Sequence, residues 1–143
     1  MRIKHITITA EDPFVTAETF KNAFGLEEVG RGDSEIAREV YLTDGYVNLA
    51  IVCWKRTEEN PNPYPEGYGL DHFGFLVDDL EAAEARVKRA GGTPQPPPSV
   101  DLSKMGGRVF FEKKYTLAGV KIDLSGEGWP VTKEEQLAHQ RKA

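Results

Sequence analysis

The sequence predicts an α+β protein of two tandem βαβββ modules, and two observations carry that prediction. Segments of alternating, β-branched character flank amphipathic segments that have capping residues at both ends. The punctuation then recurs: His5 and His72, Asp12 and Asp79, and Gly25 and Gly92 each stand 67 residues apart. Three residues at one offset mark an internal repeat.

The first module opens on IKHITITA, residues 3–10, whose alternation reads as a strand. Asp12 followed by Pro13 supplies an N-cap and a first helical residue. Phe14, Ala17, Phe20 and Phe24 repeat at helical spacing, and Gly25 stands where a left-handed C-terminal residue is wanted. Three strand-like pieces follow, LEEVGR, EIAREVYLT and YVNLAIVCW, the last two separated by the turn residues Asp44 and Gly45. This module covers about residues 1–54, and the stretch of about 55–70, rich in Pro, Gly and polar residues, reads as a linker.

In the second module, about residues 71–129, DHFGFLV is a strand. Asp78 or Asp79 caps a helix carrying Leu80, Ala83, Val87 and Ala90, which AGG ends. The repeat loosens around TPQPPPSVDLSKMGG before two further strands, RVFFEKKYT and GVKIDLS. The tail, 130–143, has Thr132 and Glu135 at capping-box spacing and predicts a short surface helix with a solvated His139. Residues 1–143 are expected to form one domain.

Composition narrows the function classes. With 39% hydrophobic and 29% charged residues in 143, the chain has the make-up of a globular protein with a real core. No apolar run is long enough to cross a bilayer and Met1 leads straight into a strand, so a cytoplasmic protein without membrane contact is expected. Cys53 is the only cysteine, which excludes a disulfide framework and a cysteine-rich zinc site. The net charge of −5 and the absence of a basic stripe argue against nucleic acid as partner.

Strand alternation assigns the histidines a face, since side chains two apart point the same way. Ile6 and Ile8 belong against the first helix, which puts His5, Thr7 and Thr9 on the opposite face. Phe73, Phe75 and Val77 take the helix side of the matching strand and leave His72, Gly74 and Leu76 opposite. In the last strand Val120, Ile122 and Leu124 are the apolar set, so Lys121, Asp123 and Ser125 share the histidine face. Two His and one carboxylate on one inner face form a plausible metal set, with room left by Thr7 and Gly74.

These residues resemble the vicinal oxygen chelate superfamily, which includes glyoxalase I, bleomycin-resistance proteins, methylmalonyl-CoA epimerase, fosfomycin-resistance enzymes and extradiol dioxygenases. The resemblance runs from Ile3 to about Trp129. It implies a cup-shaped, partly closed mixed sheet with helices outside, a divalent ion (Fe, Mn, Ni, Zn or Co) in the cup, a small-molecule substrate and a homodimer. By that pattern His5, His72 and Asp123 are the metal ligands, Asp123 standing where the family usually has Glu. The fourth ligand place falls on Asn48, or on Ala50 if the register slips by two, and neither is a carboxylate. The resemblance therefore implies an enzyme that chelates vicinal oxygens, with lyase or isomerase chemistry and ring-cleaving dioxygenation both open. The alternative is a metal-free protein of the bleomycin-resistance type that sequesters a flat ligand.

Other residues have two readings each. Asn48 is either a substrate hydrogen-bonder or a satisfied polar group at the rim. Tyr41, Phe111, Tyr115 and Trp54 either line the pocket, the first three as substrate contacts, or pack in the core. Cys53 alternates with Leu49 and Ile51 and is expected to pack as a small hydrophobe against a helix.

Overall fold

The computed structural model describes residues 1–105 and 112–141. Strand β1 (Arg2–Thr9) leads into α1 (Pro13–Phe24), followed by β2 (Glu27–Asp33), β3 (Ala37–Thr43) and β4 (Asn48–Trp54). The second set is β5 (Gly69–Leu76), α2 (Leu80–Arg89), a two-residue β6 (Thr93–Pro94), a 3₁₀ turn (Leu102–Met105), β7 (Lys113–Leu117) and β8 (Val120–Ser125), and α3 (Lys133–Arg141) closes the chain. Part of the strand expected at RVFFEKKYT, and Phe111 with it, lies outside the described residues.

The described strands form an eight-stranded sheet in the order β2-β3-β4-β1-β5-β8-β7-β6. Within each module the first strand pairs in parallel with the last, β1 with β4 and β5 with β8, and the modules meet where β1 runs antiparallel to β5. β2 and β6 remain at the two ends, so the sheet curves into a cup without closing. The α+β fold expected from the repeat is the fold observed. No described helix is long and apolar enough to cross a membrane.

Local chemistry explains the element ends. The Asp12 carboxylate accepts from the amides of Phe14 and Val15, and the Asp79 carboxylate accepts from that of Ala82, so both helices start on a side-chain cap. Gly25 ends α1 with φ +67°. The equivalent residue after α2 is Gly91, at φ +98°, and not Gly92, which the repeat offset had aligned with Gly25. Gly92 has a different constraint: a side chain there would collide with Val87. At α3 the Thr132 hydroxyl accepts from the Glu135 amide, while the Glu135 carboxylate reaches back to the Val131 amide at 2.7 Å.

The described apolar residues form three clusters. Ala17, Val40, Leu42 and Ile51 pack between α1 and the outer face of the sheet, and Val77, Ala83, Val87, Tyr115, Ile122 and Leu124 do so beneath α2. A third cluster, Ile36, Ala37, Ala50 and Val52, lies on the inner face and is covered by Tyr41, Trp54, Val100, Met105 and Trp129. The first module's side of the cup is thus filled by the C-terminal arm and the segment before β7. The arm is more deeply docked than its polar sequence suggested: Gln136 and His139 are both buried, which corrects the expectation of a solvated His139.

Candidate metal centre

Across the β1–β5 seam, His5 stands opposite Gly74 and Thr7 opposite His72. Gly74 is also opposite Asp123 on the far side, in the parallel β5–β8 register. The position between His5 and Asp123 therefore carries no side chain, and the His5 ring crosses the space above it; a Cβ at 74 would fall within the imidazole. Strands of both modules deliver three donors to one point. His5 Nε2 and His72 Nε2 are 3.2 Å apart, and Asp123 Oδ2 lies 3.0 Å from His72 Nε2 and 3.9 Å from His5 Nε2. An ion with bonds of about 2.1 Å places neighbouring donors about 3 Å apart and opposed donors about 4.2 Å apart. The observed separations fall within that range.

The surroundings fit the same use. His72 Nδ1 is 2.6 Å from Asp71 Oδ2, which fixes the ring and turns Nε2 toward Asp123 and His5. Among the described residues the buried side-chain polar atoms without a hydrogen-bond partner are Thr7 Oγ1, Glu39 Oε2 and Asn48 Oδ1, and strand alternation puts all three on the inner face. Burial first, then the neighbouring His72, brings the His5 pKa down to about 3, so its imidazole is neutral and its lone pair is available. Burial also works against charge on His72, but hydrogen bonds to Asp123 and Asp71 outweigh it and lift its pKa to about 9. Burial would raise Asp123, yet His72 and Lys114 hold it well below the usual carboxylate range.

The centre opens on a cavity of about 1270 Å³ lined by His72, Asp123, Glu112, Lys114, Tyr41 and Glu39, among others. Trp129 forms one wall. Its ring stacks on His5 with centroids 4.0 Å apart, and its Nε1–H donates to Glu112 Oε1 at 2.7 Å. Lys114 Nζ sits 2.8 Å from Asp123 Oδ2 and 3.4 Å from Glu112 Oε2. Burial and the Asp123 charge raise the Glu112 pKa to about 7. Glu39, a carboxyl of the first module only 5% exposed, also stands at about 7 through burial and the charge of Asp33.

Sequence reading brought His5, His72 and Asp123 to one face, and they meet there. The weaker substrate assignments fare differently. Tyr41 does face the cavity, edge-on to Trp129. Asn48 is fully buried under the C-terminal arm, its Nδ2 donating to the Pro130 carbonyl at 2.6 Å, so it does not line the open cavity. Tyr115 borders the cavity, but its ring packs in the α2 cluster on the other side of the sheet and its hydroxyl donates to Glu84 at 2.5 Å. The alternation along β7 explains this, because Lys114 faces the cup and its neighbour must face out. Glu112, Lys114, Trp129, Asp71 and Glu39 were not singled out from sequence. A signal for Lys114 existed: the Ala118-Gly119 turn, both residues at positive φ, pairs Leu117 with Val120 and hence Lys114 with Asp123.

Comparison with known proteins agrees with this architecture. The family described as Glyoxalase/Bleomycin resistance protein/Dioxygenase superfamily matches residues 2–117. No curated protein matches the chain by sequence. Among solved structures, the hypothetical protein BH1468 from Bacillus halodurans C-125 is similar at 16% identity and a TM-score of 0.64, covering 90% of this chain and 96% of its own. Methylmalonyl-CoA epimerase from Mycobacterium tuberculosis is similar at 19% identity and 0.61, covering 95% and 90%. A mutant of 4-hydroxymandelate synthase from Streptomyces coelicolor reaches 0.67 at 15% identity, covering 90% of this chain and 38% of that longer one. At such identities the likeness is one of fold.

Proposed function

The chain belongs to the Glyoxalase/Bleomycin resistance protein/Dioxygenase superfamily, and we propose that it is a metal-dependent member whose His5, His72 and Asp123 hold one divalent ion. Its substrate on this reading is a small molecule with two neighbouring oxygens, and its reaction is proton transfer at a carbon beside a carbonyl, the isomerase and lyase class. The observation that carries the reading is the convergence of three donor atoms, all within 4.8 Å of one another, two of them on residues that line one cavity, His72 and Asp123.

The ion, when bound, would supply Lewis acidity to a substrate carbonyl whose oxygen gains negative charge. The protein's own groups do the rest. His72 is held in orientation by Asp71, and His5 is fixed between Trp129 and the gap at Gly74. Glu39 faces the same cavity with a pKa near neutrality, which suits a group that takes up a proton and returns it. That second carboxyl is what favours proton transfer over oxygen chemistry. A two-His, one-carboxylate set also suits Fe(II) oxygenation, which remains the second reading.

Protein purified without chelator should contain near-stoichiometric metal, and incubation in D₂O should introduce deuterium into members of a panel of hydroxy-carbonyl compounds and acyl thioesters. Oxygen uptake dependent on Fe(II), without such exchange, would transfer the protein to the oxygenase reading. No bound metal and no exchange would leave a metal-free ligand-binding protein.

A further inference from the structure

We propose that Lys114 is a tethered cation of the metal centre, which a divalent ion must displace from Asp123 in order to bind, with Glu112 as the acceptor to which the ammonium then withdraws. The proposal rests on the reading of His5, His72 and Asp123 as metal ligands.

The argument is one of shared atoms. Asp123 Oδ2 is the oxygen nearest both imidazoles, and it is also the oxygen that accepts from Lys114 Nζ at 2.8 Å. An ammonium so close to a divalent ion would meet strong repulsion in a half-buried site. One position on that oxygen is therefore contested. Lys114 can yield it without any change of backbone. Its side chain is 33% exposed, its stem has four rotatable bonds, and Glu112 Oε2 already lies 3.4 Å from its nitrogen. Glu112 is itself anchored through Oε1 by Trp129 Nε1, so the second acceptor stays in place when the first is taken. The β7–β8 register, which sets Lys114 directly opposite Asp123, builds the competition into the hairpin. Metal uptake becomes an exchange at constant ligand geometry, in which the Lys114 ammonium withdraws from Asp123 and the His72 Nε2 proton is released to solvent, and the affinity is lower than the three ligands alone would give.

Zn²⁺ and Co²⁺ dissociation constants, measured at one pH by competition with a chromophoric chelator, test this in the full chain. Lys114→Met removes the charge and keeps most of the stem, and should tighten binding about tenfold or more, the scale on which groups beside the ligands act on metal affinity. Lys114→Arg should stay near wild type. Glu112→Gln, which keeps an oxygen for Trp129, takes away the withdrawal site and should weaken binding, while the double variant should regain the tight binding of Lys114→Met. Unchanged or weaker binding by Lys114→Met, with normal thermal unfolding, overturns the exchange. So does a double variant as weak as Glu112→Gln, which would make Glu112 a ligand. If neither wild type nor any variant binds metal, the metal-centre reading falls and the exchange with it.

Discussion

His5 and Gly74 face each other across the β1–β5 seam, and the His5 imidazole occupies the volume that a side chain at position 74 would need. Trp129 stacks on the ring at 4.0 Å between centroids, so a retreat from position 74 runs against the indole. Gly74→Ala should therefore displace His5 Nε2 from the donor set. Overpacking of this kind costs about 1–3 kcal/mol, and loss of ligand geometry should weaken metal binding at least about tenfold. Thermal unfolding and metal titration of the same preparation separate the two effects. Unaltered metal affinity in a folded Gly74→Ala protein would show that His5 is not a ligand.

The position of His5, His72 and Asp123 was legible because it depends only on strand period and on a repeat offset, both visible in one dimension. The helix caps at Asp12 and Asp79 were legible for the same reason: a cap is made by residues adjacent in sequence. What escaped the reading depends on the third dimension. Trp129 reaches His5 only because the arm after β8 folds back over the first module, and no local pattern encodes that route. Glu112 and Lys114 lie in a stretch whose strand ends are blurred by FFEKKYT, and the aromatic character of Tyr115 leaves pocket and core both open until the hairpin register packs its ring beneath α2. Glu39 reads as an ordinary solvated strand residue until β4 and the inner-face cluster are seen to bury it.

Asp71 orients His72 through the 2.6 Å contact to Nδ1. Replacing Asp71 with Asn keeps the size and removes the charge that holds the ring and strengthens its basicity. Metal affinity should fall about 10- to 100-fold, with little change in unfolding temperature, since Asp71 is not part of the core. A metal dissociation constant equal to wild type would mean that the pair is a surface contact without bearing on the centre.

Asn48 ties the C-terminal arm to the floor of the cup through its bond to the Pro130 carbonyl. Asn48→Ala deletes a buried hydrogen bond and leaves that carbonyl without its donor, at a cost of about 1–3 kcal/mol. The arm, and Trp129 with it, should loosen first. Hydrogen exchange is the measurement: amides of α3 should lose protection more than those of β1 and β5, and equal loss throughout would assign Asn48 a role in the whole core rather than in the arm.

Glu39 offers a test that involves no metal. Its pKa is raised from the ordinary 4.5 to about 7, chiefly by burial and then by Asp33, with Lys55 opposing. A group raised in the folded state binds its proton more tightly there than in the unfolded chain. Its contribution to stability is fully present below about pH 4.5 and is lost as pH rises through about 7. A shift of this size corresponds to about 3 kcal/mol as an upper value. Glu39→Gln carries no such proton, so it should lack this part of the wild type's decline, while the changes due to Glu112 and the two histidines stay common to both proteins. Denaturant unfolding of both proteins at several pH values should give curves that coincide near pH 4.5 and separate toward pH 8, with the variant the more stable. Parallel curves across that window would show that the Glu39 carboxyl is ionised in the folded protein at neutral pH, and would withdraw its raised pKa as support for a role in proton transfer.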